Sequence, residues 1–377
     1  GDRSLKSINR TMLAFPLTLL LSAVRSSVAA PFDLNGTKVF YDGLAGVANY
    51  RIPAIVQIEQ PPSLQWPLVA FAEARNGGDA SADRIATRTS FDGGKSWSPV
   101  VFAAGSSNTT KTRASCAANR TGCRAGNPAA VFDSHSGEVA LIHVVRGFGG
   151  GEDAIGNAIV TSTSGLSWTS ARDISADFGA AIGSMPGPGT ALQLEAGPHA
   201  GRLLVASHFG AYNRDYVSIS DDGGNTWRTI NQTFPQMDEA ALTQLPNGSV
   251  LLNMRHMQSS TKGRAVAVSL DGGETFGAIE YESTLISPVC QASVVSFGGA
   301  TYFSNPASTS GRDHLKVRKS SDNAATWTDL VLVQTGASGG YSCLVKGALP
   351  PDATGAEEGG VLYEAEDGSI EFSRFPL

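Results

Sequence analysis

One short pattern recurs along this chain and constrains its fold more than any other feature. Ser90-Phe-Asp92-Gly-Gly94-Lys-Ser96-Trp97 returns as Ser220-Asp-Asp222-Gly-Gly224-Asn-Thr226-Trp227 and as Ser269-Leu-Asp271-Gly-Gly273-Glu-Thr275-Phe276. A fourth copy, Ser320-Ser-Asp322-Asn-Ala324-Ala-Thr326-Trp327, has alanine at the usual glycine, and a fifth, Thr161-Ser-Thr163-Ser-Gly165-Leu-Ser167-Trp168, has lost the aspartate. Each copy has the chemistry of a hairpin turn: the Asp side chain caps backbone N–H groups, Gly supplies a positive φ, and the aromatic ring folds back as an anchor. Five copies in one register, about 50 to 70 residues apart, predict repeated β units, since that interval suits one four-stranded sheet per repeat. The boxes are structural and carry no chemistry of their own.

Between the boxes the chain reads as short strands flanked by turn residues, among them Val139 to Val145, Gly201 to Ala206, Ser249 to Arg255 and Gly360 to Ala365. One short helix is expected around Ala171 to Ala181. The expected fold is all-β, a single β-propeller of six blades in which one blade lacks a box. With 43 Gly and 18 Pro in 377 residues, the chain has the turns such a fold needs without the bias of a disordered one.

The first residues read as a leader and not as part of the fold. Arg3, Lys6 and Arg10 precede an apolar run from Leu13 to Val24, the layout of a secretory signal peptide and too short for a membrane span. Cleavage is expected after Ala29, so residues 1–29 are taken as the signal peptide and 30–377 as the propeller. Export would place the protein outside the cell and its four cysteines in an oxidising compartment. Cys116 and Cys123 are close enough for a local disulfide, whereas spacing leaves the pairing of Cys290 and Cys343 open. Asn35, Asn108, Asn119, Asn231 and Asn247 head glycosylation sequons.

Charge and motif content set several functions aside. A net charge of -6 with no basic cluster offers little to nucleic acid or to an acidic membrane surface. The six histidines form no His-Glu-x-x-His pattern and there is no Cys-x-x-Cys, so neither metal nor other cofactor is indicated. Gly336-Ala-Ser338-Gly-Gly340 matches a nucleophile elbow, but no histidine follows it, the last being His314. Gly149 to Ala154 only loosely resembles a dinucleotide fingerprint, because a strand-like segment comes next.

Tyr50-Arg51-Ile52-Pro53, the boxes, Met237-Asp-Glu239, Asn253-Met-Arg255, Ser304-Asn305 and Gly340-Tyr341-Ser342 together resemble the exo-α-sialidases (neuraminidases) of cellular organisms. The likeness runs from about Val39 to the C-terminus, with the motifs in the family's order. It implies a six-bladed propeller with its active site on the central axis, a sialylated glycan as substrate, and an arginine triad for the sugar's carboxylate. The matching arginines are Arg51, Arg255 and Arg312, with Glu364 as the acidic partner of the first and Arg75 as a further substrate contact. A planar carboxylate suits guanidinium forks. A lone arginine is ordinarily a solvated charge or half of a structural ion pair; three in their motif contexts reverse that expectation.

The resemblance makes Tyr341 the nucleophile and Glu239 the base that takes its proton. Sialic acid carries a carboxylate on its anomeric carbon, so a carboxylate nucleophile about 4 Å away would be repelled by on the order of 4 kcal/mol at an effective dielectric near 20, which a neutral phenol avoids. Tyrosine then needs a close base. The acid/base is Asp79, four residues after Arg75 in Phe71-Ala-Glu-Ala-Arg75-Asn-Gly-Gly-Asp79, with Asp83 as its rival; Glu73 is left as structural. The expected activity is retaining hydrolysis of terminal α-linked sialic acid by a monomeric enzyme. A glycan-binding propeller without turnover and a trans-sialidase are the alternatives, the first because boxes alone say nothing about catalysis.

Overall fold

In the computed structural model of the chain, the described residues are 1, 34, 36–59, 67–78, 81–106, 116, 123–146, 154–178, 184–209, 214–257, 263–347, 349 and 357–377. Residues 2–29 of the leader, the sequons at Asn35, Asn108 and Asn119, and the glycine run from 147 to 153 lie outside them. Six sheets follow one another in chain order, each a blade whose strands are antiparallel but for Gly189–Thr190, which joins the second in parallel. The first holds Asn49–Gln57, Leu68–Arg75, Ala82–Ser90 and Val101–Gly105. The second holds Arg124–Asp133, Glu138–Arg146, Ala154–Ser162 and Arg172–Asp173. In the third, Ser184–Pro186 and Leu192–Gln193 share the inner edge of Leu203–Phe209, followed by Arg214–Ser220 and Arg228–Thr229. The fourth is Met237–Gln244, Val250–His256, Arg264–Ser269 and Glu280–Glu282. The fifth is Ser293–Phe297, Ala300–Pro306, Leu315–Ser320 and Thr328–Gln334. The sixth closes the ring: Ser342–Leu344, Glu358–Glu364 and Ile370–Pro376 are completed by Thr37–Phe40 from the other end of the chain.

Every blade packs both faces, so its strands are apolar on both sides and the period-2 alternation feeds two seams instead of one. Ile55 enters the seam with the sixth blade, while its neighbours Ala54 and Val56 enter the seam with the second. An apolar cluster fills each of the other seams in the same way. All five boxes occupy the turn between the third and fourth strands of blades one to five. The sixth blade has no box because its fourth strand, Thr37–Phe40, does not follow its third, Ile370–Pro376, through a turn.

The box hydrogen bonds repeat closely. Gly94 N–H donates to Ser90 Oγ at 2.8 Å and Ser96 N–H to Asp92 Oδ1 at 2.9 Å, and the same two bonds form from Ala324 and Thr326 at 2.9 Å each. Ala324 does so at φ 64°, a left-handed conformation that alanine pays for in steric strain. The degenerate copy keeps the Gly165 N–H to Ser162 Oγ bond and the Trp168 indole bond to Gly165 O. The rings do more than anchor their own turns. Trp97 stacks edge-on against Phe372 of the sixth blade and Trp168 against Phe71 of the first, so each pins its blade to the one before it.

The helix expected from Ala171 to Ala181 does not form. Arg172–Asp173 pairs as a strand with the third strand of the second blade, and only one turn follows, closed by Phe178 N–H to Ile174 O at 2.8 Å. The spacing that suggested a helix instead buries Ile174 and Phe178 together under the second and third blades; residues 179–183 lie outside the described set. Cys116 and Cys123 form the disulfide, and Cys290 and Cys343 are separate buried thiols. Among the described residues no helix is long and apolar enough to cross a membrane.

Candidate active site

Antiparallel order puts the start of each inner strand and the end of each second strand at one face of the propeller, with the boxes at the other. In the fourth blade Asp238 pairs with Arg255, whereas the box residue Ser269 pairs with Val250 at the far end. The inner strands enter that face through a left-handed residue in every blade: Ile52 (φ 62°), Asn127 (47°), Gly187 (62°), Glu239 (22°), Val289 (59°) and Gly340 (85°). Four of these are not glycine, and Ile52, Asn127 and Glu239 sit in register-shifting bulges. Bulges re-aim side chains, and strain held by the surrounding structure is common where chemistry is done.

Glu239 shows what the bulge achieves. It is left unpaired between Asp238, opposite Arg255, and Ala240, opposite Met254, which turns its carboxylate to Tyr341. Tyr341 Oη donates to Glu239 Oε1, and Arg255 Nη1 donates to Glu239 Oε2 at 2.5 Å while lying 3.4 Å from Tyr341 Oη. All three side chains are buried, Tyr341 and Arg255 at 7% exposure and Glu239 at 6%. Burial pushes the Tyr341 phenol well above its ordinary pKa, reinforced by the Glu239 charge and opposed by Arg255. Burial disfavours the Arg255 charge, but Glu239, Tyr341 and Asp238 outweigh it and its pKa is raised.

Glu364 ties the sixth blade to the first at the same spot. Its Oε1 accepts from Arg51 Nε at 2.5 Å and from the Ile52 N–H at 3.0 Å, and its Oε2 accepts the Tyr341 N–H at 3.1 Å. The Arg51 and Arg312 guanidiniums each lie 5.5 Å from the centre of the Tyr341 ring, and Arg312 Nη1 donates to Gly339 O at 2.9 Å. Gly340, at φ 85°, allows this closeness, since a Cβ there would sit 2.9 Å from Arg312 Cβ. Arg51, Arg255 and Arg312 therefore meet around Tyr341, with Glu239 and Glu364 as the balancing charges.

Arg75 is in an adjoining cluster. It donates through Nε and Nη2 to Glu73 Oε2 at 2.8 and 2.5 Å, and Glu73 also accepts the Asn127 N–H at 2.6 Å and lies 4.0 Å from Arg146. Glu73, read from the sequence as structural, is the hub that fixes two arginines, and burial there is outweighed by Arg75 and Arg146, so its pKa is lowered. Asp79 lies outside the described residues. Its rival Asp83 is engaged in the wall between the first two blades, 2.8 Å from Arg124 Nε and accepting from Asn76 Nδ2 at 2.5 Å.

Sequence reasoning gave no role to Asp238, Asn127 or Arg146. The repeat register held the signal for one of them: Arg75, Arg146, Arg255 and Glu364 all stand at or near the ends of second strands. Among the described residues, no three His, Cys, Asp or Glu side chains converge in a way that could hold a metal ion. Ser338 of the elbow-like motif accepts from Gln334 Nε2 and the Gly340 N–H, shaping the loop into Tyr341.

The BNR repeat-like domain family matches residues 66–348. A sialidase of Micromonospora viridifaciens is 33% identical across 94% of this chain and 57% of its own length, so the chain spans little more than half of that relative. An exo-alpha-sialidase of Aspergillus fumigatus is 25% identical over 85% of this chain and 80% of its own. Among solved structures, a Hadza microbial sialidase superposes with a TM-score of 0.75 at 24% identity, covering 91% of this chain and 68% of that one, which is agreement of fold.

Proposed function

Because the chain belongs to the sialidase family built on BNR repeats, we propose that it is a retaining exo-α-sialidase, a glycoside hydrolase that releases terminal α-linked sialic acid from glycoconjugates through a tyrosyl intermediate. The observation that supports this most is the buried contact of Tyr341 with Glu239 beside Arg255. A buried phenol is a poor nucleophile unless its proton has somewhere to go, and here a carboxylate meets it with three arginines gathered around.

Arg51, Arg255 and Arg312 hold the sugar carboxylate. Tyr341 Oη then forms a bond to the anomeric carbon as the bond to the leaving oxygen breaks; the Tyr341 proton passes to Glu239 and that oxygen takes a proton from Asp79. In the second half Asp79 takes a proton from water, whose oxygen bonds to the anomeric carbon, and the released phenolate recovers its proton from Glu239. The arginine cluster stabilises the charge that builds between these states. Arg75 contacts the bound sugar from the adjoining cluster. A leader at residues 1–29 would export the enzyme, and the Cys116–Cys123 disulfide suits that compartment.

The test is release of fluorophore from an α-sialoside by the parent and by folded Tyr341→Phe and Asp79→Asn proteins. Turnover that falls at least a hundredfold in Tyr341→Phe supports the nucleophile. A parent-like rate in Asp79→Asn moves the acid role to Asp83, and a rate flat from about pH 5 to 8 removes the protonated acid altogether. A folded parent that binds sialylated glycans without turning them over is a lectin-like propeller, and one whose product is a new sialoside in the presence of acceptor sugar is a trans-sialidase.

A further inference from the structure

The bulge at Glu239 brings a second carboxylate to Arg255. Successive residues of a regular strand point to opposite faces, yet Asp238 and Glu239 both reach the same guanidinium nitrogen: Nη1 lies 2.5 Å from Glu239 Oε2 and 3.3 Å from Asp238 Oδ2. Asp238 is fully buried, and its other oxygen lies 3.4 Å from His208 Nε2 of the third blade. Nothing in the proposed mechanism uses this carboxylate, and holding it in a dry site is unfavourable unless it is paired.

Arg264, fully buried, donates to Asn253 Oδ1 at 2.7 Å and to Cys290 O at 2.6 Å. Asp215, opposite His208 on the neighbouring strand, is also fully buried, and among the described residues neither of its oxygens has a hydrogen-bond partner. Burial first, then the Asp238 charge, push its pKa well up. The Asp238 and Glu239 carboxylates both favour the Arg255 charge, and Glu239 favours that of Arg264 as well. The groups facing the pair are thus His208, Asp215, Arg255, Arg264, Cys290 and Tyr341, with Arg146 from the second blade. His208 is pushed down to about 4 by burial and Cys290 up to about 12, so between those limits neither changes charge.

We infer that Asp238 is a positioning residue that shares the Arg255 guanidinium with Glu239, so that Glu239 is left only partly neutralised and able to take the Tyr341 proton. This rests on the sialidase reading above. A carboxylate paired with a whole guanidinium accepts a proton poorly, and a like charge close by restores that capacity. Asp238 supplies the like charge without touching substrate.

The experiment is kcat and KM against pH for an α-sialoside, on parent, Asp238→Asn and His208→Leu proteins, each with its thermal melt. Asparagine keeps the shape of Asp238 and removes its charge. The expected result is a fall in kcat of about tenfold or more, KM no higher than the parent's because Arg255 is freer for the substrate carboxylate, and an acid limb moved about one unit to lower pH. His208→Leu concentrates the Asp238 charge on Arg255 and moves the acid limb the other way. Acid limbs that stay within about 0.2 unit of the parent's in folded variants overturn the inference, as does a kcat loss that simply tracks lost stability. If Asp238→Asn does not fold, the limb of His208→Leu decides by the same criterion. A parent with no turnover overturns the sialidase reading and this inference together, whereas an active parent with unmoved limbs overturns this one alone.

Discussion

Replacing Glu364 by glutamine exchanges one oxygen for an NH2 group at the point where the ring of blades closes. Glu364 is 2% exposed and all three of its close partners are donors: Arg51 Nε and the Ile52 N–H on Oε1, the Tyr341 N–H on Oε2. A glutamine can point its oxygen at only one of these two places. With the oxygen kept on Arg51 and Ile52, its NH2 faces the Tyr341 N–H, and a buried donor left unmet costs about 1–3 kcal/mol. The remaining bond to Arg51 loses its ion-pair character, roughly another 1 kcal/mol; the Arg51 side chain is 27% exposed, so water recovers part of it. A total of about 2–3 kcal/mol corresponds to about 30- to 150-fold in kcat/KM if it is felt in the transition state, because it displaces both the nucleophile's backbone and one carboxylate-binding arginine. The assay is α-sialoside hydrolysis together with a thermal melt, in which the loss should appear as a drop of several degrees. A variant that melts within about 1 °C of the parent and keeps half its kcat/KM would refute the reasoning, since the closure would then not be carried by this carboxylate.

Two further predictions concern the box face. Ala324 occupies at φ 64° the position that is glycine in Gly94, Gly224 and Gly273, so Ala324→Gly should stabilise the protein by about 0.5–1 kcal/mol without changing turnover; an unchanged or lower urea midpoint contradicts this. Burial opposes ionisation at Asp92, Asp222 and Asp271, but hydrogen bonds from box hydroxyls and N–H groups outweigh it and lower their pKa values. At Asp322 the Thr326 hydroxyl and N–H, with Ser320, hold it down to about 2. A folded pKa below the unfolded value of about 3.9 gives stability that is complete above that value and is lost as pH falls towards about 2. The stability gap between the parent and Asp322→Asn should therefore narrow from pH 5 to pH 2.5, read from urea midpoints, and a gap of constant size would rule the box contribution out.

The repeat made the architecture legible in the sequence because a box depends on local chemistry: a hydroxyl, a carboxylate, a left-handed residue and a ring within eight positions fold the same turn wherever they occur. It also told which blade would have no box only in number, since the missing turn in the sixth blade arises from the pairing of Thr37–Phe40 with Ile370–Pro376, residues at opposite ends of the chain. The helix expected near Ala171 failed for the same kind of reason, a strand partner over ten residues away outbidding a local spacing. At the candidate site, motif context put forward Arg51, Glu239, Arg255, Arg312, Tyr341 and Glu364, and the fold brings these side chains together. What tertiary structure alone decided were contacts between blades, Glu73 holding Arg75 beside Arg146 and Asp83 spent on Arg124, and one across a bulge within a blade, Asp238 turned onto Arg255. These depend on bulges at Asn127 and Glu239 and on the register of neighbouring sheets. A carboxylate's function follows from which guanidinium it meets, and in a propeller that partner sits a blade away or across a bulge, where no local pattern in the sequence records it.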